Sequence, residues 1–190
     1  MTRVQSPIKF TFRDYKSLPY SERERYELLE GELIPMAPSP SEPHQWVCGE
    51  LADRLRRFSK ERQLGCVYQA PLDVVLGETG EEQVVQPDIL FISKARSEII
   101  HKDEIRGAPD LVVEILSPAT AEKDRTYKRT LYAKYGAKEY WLVDPEAQTI
   151  EVLSLGAKGY RRAGLYEASQ KLKSPLLPKL EISLEEVFAT

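Results

Sequence analysis

Two carboxylates in this sequence stand beside or inside apolar strands, where an isolated charge is unstable. Glu114 interrupts the apolar run 111–116, and Asp88 directly precedes the apolar run 89–92. A buried carboxylate without a partner is costly or takes up a proton. Each therefore needs a cation, a hydrogen-bond network or a metal ion. Neighbouring strands lie about 4.8 Å apart, so the two carboxylates could share one cation if their strands are neighbours.

A simpler interpretation stays open for each carboxylate. Glu114 could pair with a lysine or arginine near the strand end, and Asp88 could be a turn or cap residue, since it follows Pro87. Asp110 also follows a proline and shares a strand face with Glu114. Four strand residues span about 13 Å, whereas divalent ions hold oxygen ligands at about 2.0–2.6 Å. We therefore interpret Asp110 as the residue that starts the strand.

A basic helix is predicted after these strands. Asp124, Lys128 and Tyr132 recur every four residues and so share one helix face. Between residues 121 and 138, six basic side chains stand against two acidic ones, a local charge of +4 in a chain of net charge −3. This segment is either a solvated surface, with an Asp124–Lys128 pair worth about 0.3–0.5 kcal/mol, or a phosphate-facing helix with one lysine directed at a reaction centre.

The elements that must position these residues follow from hydrophobic periodicity. An apolar stripe of Val47, Leu51, Leu55 and Phe58 predicts a helix over about 44–63, and Gly136 ends a second helix over about 121–135. Strands are predicted over 66–76, 84–93, 110–117, 139–144, 149–155 and 160–168.

Further local signals complete this outline. The Glu30-Gly31 pair predicts a hairpin turn between residues 26–29 and 33–36, because glycine accepts positive φ. Four prolines make 35–43 a loop, the polar segment 94–107 is a short helix or loop, and Ser183 opens a C-terminal helix near 182–188. The order helix, three strands, helix, strand indicates an α/β (α+β) sandwich around a mixed sheet.

Composition narrows the class of protein. The chain has 190 residues, 42% of them hydrophobic and 30% charged, which suits a globular chain better than a disordered one. We expect one domain over 1–190, with an N-terminal arm over 1–20 and a decorated core over 21–190. No apolar run approaches the about 20 residues that a bilayer needs. Two cysteines cannot form a secreted disulfide framework, so we expect a cytoplasmic protein.

Three ordered motifs carry a resemblance to a known family. They are PDILFI at 87–92, PDLVVEILSPAT at 109–120 and DRTYKRTLYAKYGAKEYWLVDP at 124–145. The set resembles the Uma-type putative restriction endonuclease family of the PD-(D/E)XK nuclease superfamily, from about Tyr26 onward. That resemblance implies an αβββαβ core with a central mixed sheet, flanked by helices, with an N-terminal hairpin and C-terminal β decoration.

The resemblance also implies roles for particular residues. Asp88 and Glu114 would bind Mg²⁺, or Mn²⁺ in its place, together with the backbone carbonyl of Ile115. The superfamily lysine belongs two residues after the glutamate, where this chain has Leu116. In similar sequences this role moves to the following helix, at the position of Lys128.

Supporting roles are expected for several further residues. Glu32 and His44 match places where the family has polar residues, and Tyr132 could form a hydrogen bond in the site or simply pack there. Nucleic acid, expected to be double-stranded DNA, would contact the basic helix, and a homodimer would suit cleavage of both strands. The expected DNA contacts are Lys123, Arg125 and Arg129.

Two other functions are weighed against a metal-dependent DNA endonuclease. Leu116 at the usual lysine position leaves open a non-cleaving nucleic-acid-binding or protein-interaction module on a nuclease-derived fold. A serine hydrolase using Ser117 and His44 is disfavoured, because no G-x-S-x-G motif surrounds Ser117 and Pro118 favours a helix start there. Tyr140 and Trp141 begin an apolar strand and are expected in the core.

Overall fold

The computed structural model describes residues 8–19, 24–36 and 40–189, which form three sheets with helices packed against them. The strands are β1 (Tyr26–Leu29), β2 (Glu32–Pro35), β3 (Gly65–Gln69), β4 (Asp73–Leu76), β5 (Gln83–Val85), β6 (Ile89–Ser93), β7 (Glu104–Arg106), β8 (Leu111–Ile115), β9 (Glu139–Asp144), β10 (Thr149–Gly156), β11 (Gly159–Glu167), β12 (Lys171–Lys173) and β13 (Glu181–Ser183). The helices are α1 (Phe12–Lys16), α2 (Glu42–Arg62), α3 (Ala121–Lys123), α4 (Arg129–Tyr135) and α5 (Leu184–Phe188). A π-helical turn over Asp124–Lys128 joins α3 to α4, so that 121–135 is one continuous helix.

Six strands form the central mixed sheet in the order β11-β10-β9-β8-β6-β3. Neighbouring strands are antiparallel except β8 and β9, which run parallel. A parallel neighbour requires a long crossover connection, and the 121–135 helix supplies it. The core order is therefore α2, β3, β6, β8, helix, β9, which confirms the predicted αβββαβ arrangement around a mixed sheet.

Two prolines divide what the sequence presents as long strands. The predicted strand 66–76 is β3 and β4, which are separated at Pro71, and the predicted strand 84–93 is β5 and β6, which are separated at Pro87. Proline has no backbone N–H to donate to a sheet. At both places the chain passes between the central sheet and a second sheet of order β2-β1-β5-β4-β7. Asp88 therefore lies where the chain enters the central sheet.

The two faces of the central sheet pack against different cores. Val113 and Ile115 of β8 join the apolar stripe of α2 and the C-terminal segment in one core. Val112 joins Leu131 of the 121–135 helix and the second sheet in the other. Because side chains alternate along a strand, Glu114 faces the second core, on the side of the 121–135 helix.

The start of β8 is held by a buried carboxylate. Asp110 is fully buried, accepts the Ser93 N–H at 2.8 Å, and lies 2.7 Å from Lys138 and 3.4 Å from Arg96. Burial would raise the pKa of Asp110, but these partners outweigh it and hold that pKa below its usual value. Asp110 thus fixes the beginning of the strand and stays outside the candidate site, as its spacing from Glu114 predicts.

Most local predictions agree with the described residues. Glu30 and Gly31 turn the β1–β2 hairpin with φ of 51° and 83°, and Gly136 ends α4 with φ of 86°. Residues 94–107 form a 3₁₀ helix over Lys94–Ile99 and strand β7. Parts of the predicted arm and loop, residues 1–7, 20 and 37–39, lie outside the described residues. Within the described part of the chain, no helix is long and apolar enough to cross a membrane.

A second buried carboxylate attaches the C-terminal segment to the central sheet. Glu139 of β9 accepts hydrogen bonds from Trp141 Nε1 at 2.7 Å, Ser174 Oγ at 2.6 Å and the Leu176 N–H at 2.8 Å. Burial raises the pKa of Glu139 despite these donors. The donors satisfy the carboxylate, and they place the segment before β13 and α5 against the core that contains Trp141.

Replacing Glu139 by alanine should leave three buried donors without an acceptor. Each such donor has a desolvation cost of about 1–3 kcal/mol, so we expect Glu139→Ala to lower the free energy of unfolding by about 2–4 kcal/mol in urea titrations. The exposed Glu146→Ala should change it by less than about 0.5 kcal/mol. Equal effects of the two substitutions would contradict a structural role for Glu139.

Candidate active site

The fold brings Asp88 and Glu114 together at the edge where β6 and β8 begin to pair. Ile89 of β6 is the register partner of Val113 of β8, so Asp88 stands opposite Glu114 on the adjoining strand. Asp88 Oδ2 accepts the backbone N–H of Ile115 at 2.8 Å. The cross-strand arrangement proposed from the sequence is therefore the one that the sheet register produces.

Lys128 meets Glu114 from the 121–135 helix. Its Nζ lies 2.8 Å from Glu27 Oε1, 3.1 Å from Glu114 Oε1 and 3.4 Å from Asp124 Oδ1. The four side chains are between 2% and 6% exposed. Tyr132 is fully buried and donates its hydroxyl to Glu114 Oε1 at 2.8 Å. Asp124, Lys128 and Tyr132 thus form a buried cluster instead of a solvated helix surface. Tyr132 both packs in the core and donates a hydrogen bond.

The π-helical turn explains how three residues spaced by four stay on one face. In an α-helix, four residues turn the chain by about 400°, so positions spaced by four drift sideways. A π-turn is wider and rotates the chain less per residue. The π-turn covers the step from Asp124 to Lys128, and α4 covers the step from Lys128 to Tyr132. The sideways drift of the first step is therefore opposite to that of the second. Lys128 and Tyr132 both reach Glu114 as a result, and Asp124 reaches Lys128.

Leu116 stands where the superfamily motif has lysine, and the structure gives it a packing role. It is 7% exposed and belongs to the core beside the 121–135 helix. No cation comes from that strand position. The ammonium beside Glu114 is instead that of Lys128, which reaches the carboxylate from the following helix.

Burial and neighbouring charges together set the electrostatics of the cluster. Burial raises the pKa of Glu114 well above its usual value, and the charges of Asp124, Asp88 and Glu27 add to this against the opposing effect of Lys128. Burial by itself would lower the pKa of Lys128, but its three carboxylate neighbours raise that pKa well above the usual value. The lysine is therefore charged, and the carboxylates outnumber it.

His44 completes the group on the solvent side. Its Nε2 lies 3.4 Å from Asp88 Oδ2. Burial would lower the pKa of His44, but the hydrogen bond and charge of Asp88, with the backbone of Ile115, raise it. His44 and Asp88 line a cleft of about 1050 Å³ between α2, the end of β3 and the N-terminal residues. Of the paired carboxylates Asp88 and Glu114, Asp88 is thus the one that lines the cleft, and Lys128 lies behind Glu114.

The donor set suits a hard divalent cation. Each carboxylate uses one oxygen within the protein. Asp88 Oδ2 accepts the N–H of Ile115 and lies near His44 Nε2. Glu114 Oε1 accepts hydrogen bonds from Lys128 and Tyr132. Among the described residues, neither Asp88 Oδ1 nor Glu114 Oε2 receives a hydrogen bond. Mg²⁺ usually binds one or two carboxylates and keeps several waters. Two oxygens from adjacent strands match that requirement.

Glu32 lies apart from this group. It is exposed at the start of β2 and pairs in register with Leu29. The hairpin carboxylate that reaches Lys128 is Glu27, on the opposite strand β1. Sequence reasoning did not single out Glu27, although it interrupts the apolar stretch of β1 as Glu114 interrupts that of β8. The same criterion, applied to Tyr26–Leu29, would have found it.

Two of the three basic residues expected to contact DNA line one surface groove. Arg125 and Arg129 line a surface groove of about 690 Å³ with Lys134. Arg125 also lies 3.2 Å from Asp144, and Arg129 donates to the Tyr160 carbonyl at 3.3 Å. Lys123 is half-buried and is not part of the groove lining.

The groove and the cleft open at opposite ends of the β1–β5 pair. Glu30 and Gln83 line the groove, whereas Tyr26 and Gln86 line the cleft. Strands β1 and β5 are antiparallel, with Leu28 opposite Val84. The two openings are thus separated by about 13 Å of strand, and Glu27 lies between them.

The residues of the disfavoured hydrolase have other partners. Ser117 Oγ is 3.0 Å from Thr120 Oγ1, at the turn before α3. His44 is paired with Asp88. Ser117 lies in the turn before α3, whose N-cap is Thr120, so the helix begins three residues after the start expected from Pro118.

Comparisons with known proteins agree with the fold. The sequence profile of Uma2, described as putative restriction endonuclease, matches residues 12–185. Among solved structures, a putative nuclease belonging to DUF820 from Anabaena variabilis ATCC 29413 shares the fold with a TM-score of 0.76. The two chains are 24% identical over 94% of this chain and 97% of that chain. No curated protein matches the chain.

Removing the ammonium from the cluster should strongly destabilise the metal-free protein. Lys128→Gln leaves three buried carboxylates without their cation, and breaking a buried ion pair on one side costs about 3–5 kcal/mol. We expect a loss of that size in urea unfolding with chelator present. The double variant Lys128→Gln/Glu27→Gln should recover part of it, because one of the carboxylates is then neutral. No recovery would argue against charge excess as the cause.

Proposed function

The chain belongs to the Uma2 family of putative restriction endonucleases, and on that premise we propose that it hydrolyses phosphodiester bonds in double-stranded DNA with Mg²⁺. The observation that carries the proposal is the pairing of Asp88 with Glu114 across adjacent strands, with a buried lysine behind Glu114. A phosphodiester nuclease needs oxygen ligands for a cation and a fixed positive charge beside the phosphate. Asp88 and Glu114 supply the oxygen ligands, and Lys128 supplies a fixed ammonium on the inner side of Glu114.

Asp88 and Glu114 would hold the ion through their free oxygens, with the carbonyl of Ile115 as a further ligand. Mn²⁺ would serve in the same place, because carboxylate and carbonyl oxygens also suit it. When bound, such an ion neutralises charge on the phosphate and lowers the pKa of a coordinated water. His44 would hold Asp88 in the orientation that leaves Oδ1 toward the cleft.

Lys128 would supply positive charge that does not depend on a bound ion. It is fixed by three carboxylates, so no reorganisation is needed when negative charge develops on the phosphate. Tyr132 would keep Glu114 Oε1 turned inward through its hydroxyl. We assign Lys128 the role of orienting the water or stabilising the transition state.

Nucleic acid would lie across the basic helix. Arg125 and Arg129 in the groove, and Lys123 on the preceding turn, would contact phosphates that flank the cleaved bond. A two-fold dimer would present one site to each strand of a duplex. We propose both as properties of the bound state.

One observation favours a second candidate, a nucleic-acid-binding or protein-interaction module that does not cleave. At the strand position where the motif has lysine, this chain has Leu116, whose side chain is buried in the core. A module of this kind would keep DNA binding without metal-dependent cleavage. Plasmid cleavage by the purified protein separates the two functions.

Loss of either metal-binding carboxylate should abolish cleavage. We expect purified protein with Mg²⁺ or Mn²⁺ to nick or linearise plasmid DNA, and Asp88→Asn or Glu114→Gln to lower the rate beyond the about 10–100-fold typical of losing a supporting partner of a metal ligand. Asp103→Asn is the matched control, because Asp103 lines the same cleft and should retain activity. Unchanged cleavage in folded Asp88→Asn would contradict the assignment.

Neutralising the groove should weaken DNA binding without preventing metal binding. Removing one side chain that binds a phosphate should reduce the slope of log K against log salt concentration by about 1. We therefore expect Arg125→Ala and Arg129→Ala to flatten the salt dependence in anisotropy titrations with catalytically inactive Glu114→Gln protein. The exposed Arg57→Ala, on α2, is the control. An unchanged slope in both groove variants would remove them from the DNA interface.

A further inference from the structure

Three carboxylates in this protein surround one point in space, and an ammonium occupies that point. Glu27 comes from β1, Glu114 from β8 and Asp124 from the π-helical turn, and their oxygens lie 2.8, 3.1 and 3.4 Å from Lys128 Nζ. Asp124 Oδ1 is buried and receives no hydrogen bond among the described residues. Oxygens converging in this way from three elements make an environment for a cation, and here the chain provides the cation itself.

Charge balance limits what else the cluster can bind. Together with Asp88, the group contains four carboxylates and one ammonium. One divalent ion on Asp88 and Glu114 would bring the positive charge to three, close to balance, whereas a second divalent ion would overshoot it in a site that excludes water. Within the described residues, no three His, Cys, Asp or Glu side chains are arranged to hold a metal ion.

Glu27 links Lys128 to the segment that leads into the metal-binding strand. Glu27 Oε1 lies 2.8 Å from Lys128 Nζ and accepts the N–H of Gln86 at 3.4 Å. Gln86 stands two residues before Asp88. Because Glu27 belongs to a different strand from Glu114, it would still hold the lysine once Glu114 turned an oxygen to a metal ion.

We propose that Lys128, anchored by the positioning residue Glu27, fills the place of a second divalent cation, so that each chain binds one divalent ion. This inference rests on the proposed function, because it takes Asp88 and Glu114 as the ligands of that one ion. It predicts that a second divalent ion can bind among these carboxylates once the lysine is removed. Without Lys128, the oxygens of Glu27, Glu114 and Asp124 need to move inward by only about 1 Å to reach the distances of a bound divalent ion.

The test is the stoichiometry of Mn²⁺, measured by calorimetry and by electron paramagnetic resonance of the free ion. Wild type and Lys128→Arg should bind one ion per chain, Lys128→Gln two, and Lys128→Gln/Glu27→Gln one. Asp88→Asn should lose the single ion of the wild type. Glu139→Gln, a buried carboxylate remote from the cluster, is the control and should bind one.

The outcomes separate this inference from the proposed function. A wild type that binds no Mn²⁺ overturns the proposed function, whereas a wild type that binds two overturns only the inference. A folded Lys128→Gln protein that binds one ion also overturns it. Should Lys128→Gln fail to fold, the wild type can still overturn the inference, by binding two ions per chain.

Glu27→Gln tests the positioning role separately. It should still bind one ion, but with weaker apparent affinity, since Lys128 then turns more strongly to Glu114 and competes with the ion. Cleavage should fall by about 10–100-fold, and part of that loss should be recovered at high Mn²⁺ concentration. Unchanged affinity and cleavage in Glu27→Gln would show that Glu27 does not position the lysine.

Discussion

The ammonium group of Lys128 is removed from water, and this is possible only because three carboxylates meet it from different parts of the chain. A buried lysine without such partners would lose its proton or unfold the region around it. Glu27, Glu114 and Asp124 each depend on it in turn, because they are equally buried. The N-terminal hairpin, the central sheet and the 121–135 helix are therefore connected through a single ion cluster, and the positions of these elements are coupled to it.

The central sheet and the second sheet meet beside the ion cluster around Lys128. Pro71 and Pro87 end their strands because they cannot donate to a ladder, and the chain crosses between sheets at each of them. The crossing at Pro87 sets Asp88 at the mouth of the cleft and Gln86 against Glu27. On the other side, β1 carries Glu27 over the lysine. A site with one carboxylate near solvent and the others buried follows from these two changes of sheet.

The local charge of the 121–135 helix differs from the net charge of the chain because of how the helix packs. The net charge of −3 is spread over the chain, while the 121–135 helix separates its own charges by face. Its inner face carries the buried cluster, and its outer face carries Arg125 and Arg129 along the groove. A chain of acidic average composition can therefore present positive charge on one surface, and chain-level charge is a poor guide to whether it can bind nucleic acid.

The sequence by itself determined the order of the core elements and the two strand carboxylates. Hydrophobic periodicity gives the αβββαβ order, and a charged residue in an apolar run marks Glu114 because burial of an unpaired charge is unfavourable at any place in a fold. The spacing of Asp124, Lys128 and Tyr132 marks a helix face for the same kind of local reason. These signals are contained in short stretches of chain, so they can be interpreted without knowing what packs against them.

Only the tertiary structure decided what Lys128 faces and which hairpin carboxylate joins it. Glu27 and Lys128 are 101 positions apart in the numbering, and their contact depends on how the second sheet packs against the first. Glu32 is the hairpin carboxylate that the resemblance indicates, but strand alternation and sheet packing bury Glu27 and expose Glu32. Pro71 and Pro87 mark where the strands divide, but the assignment of the parts to two sheets depends on long-range packing, and so does the π-turn. Local periodicity does not encode that packing.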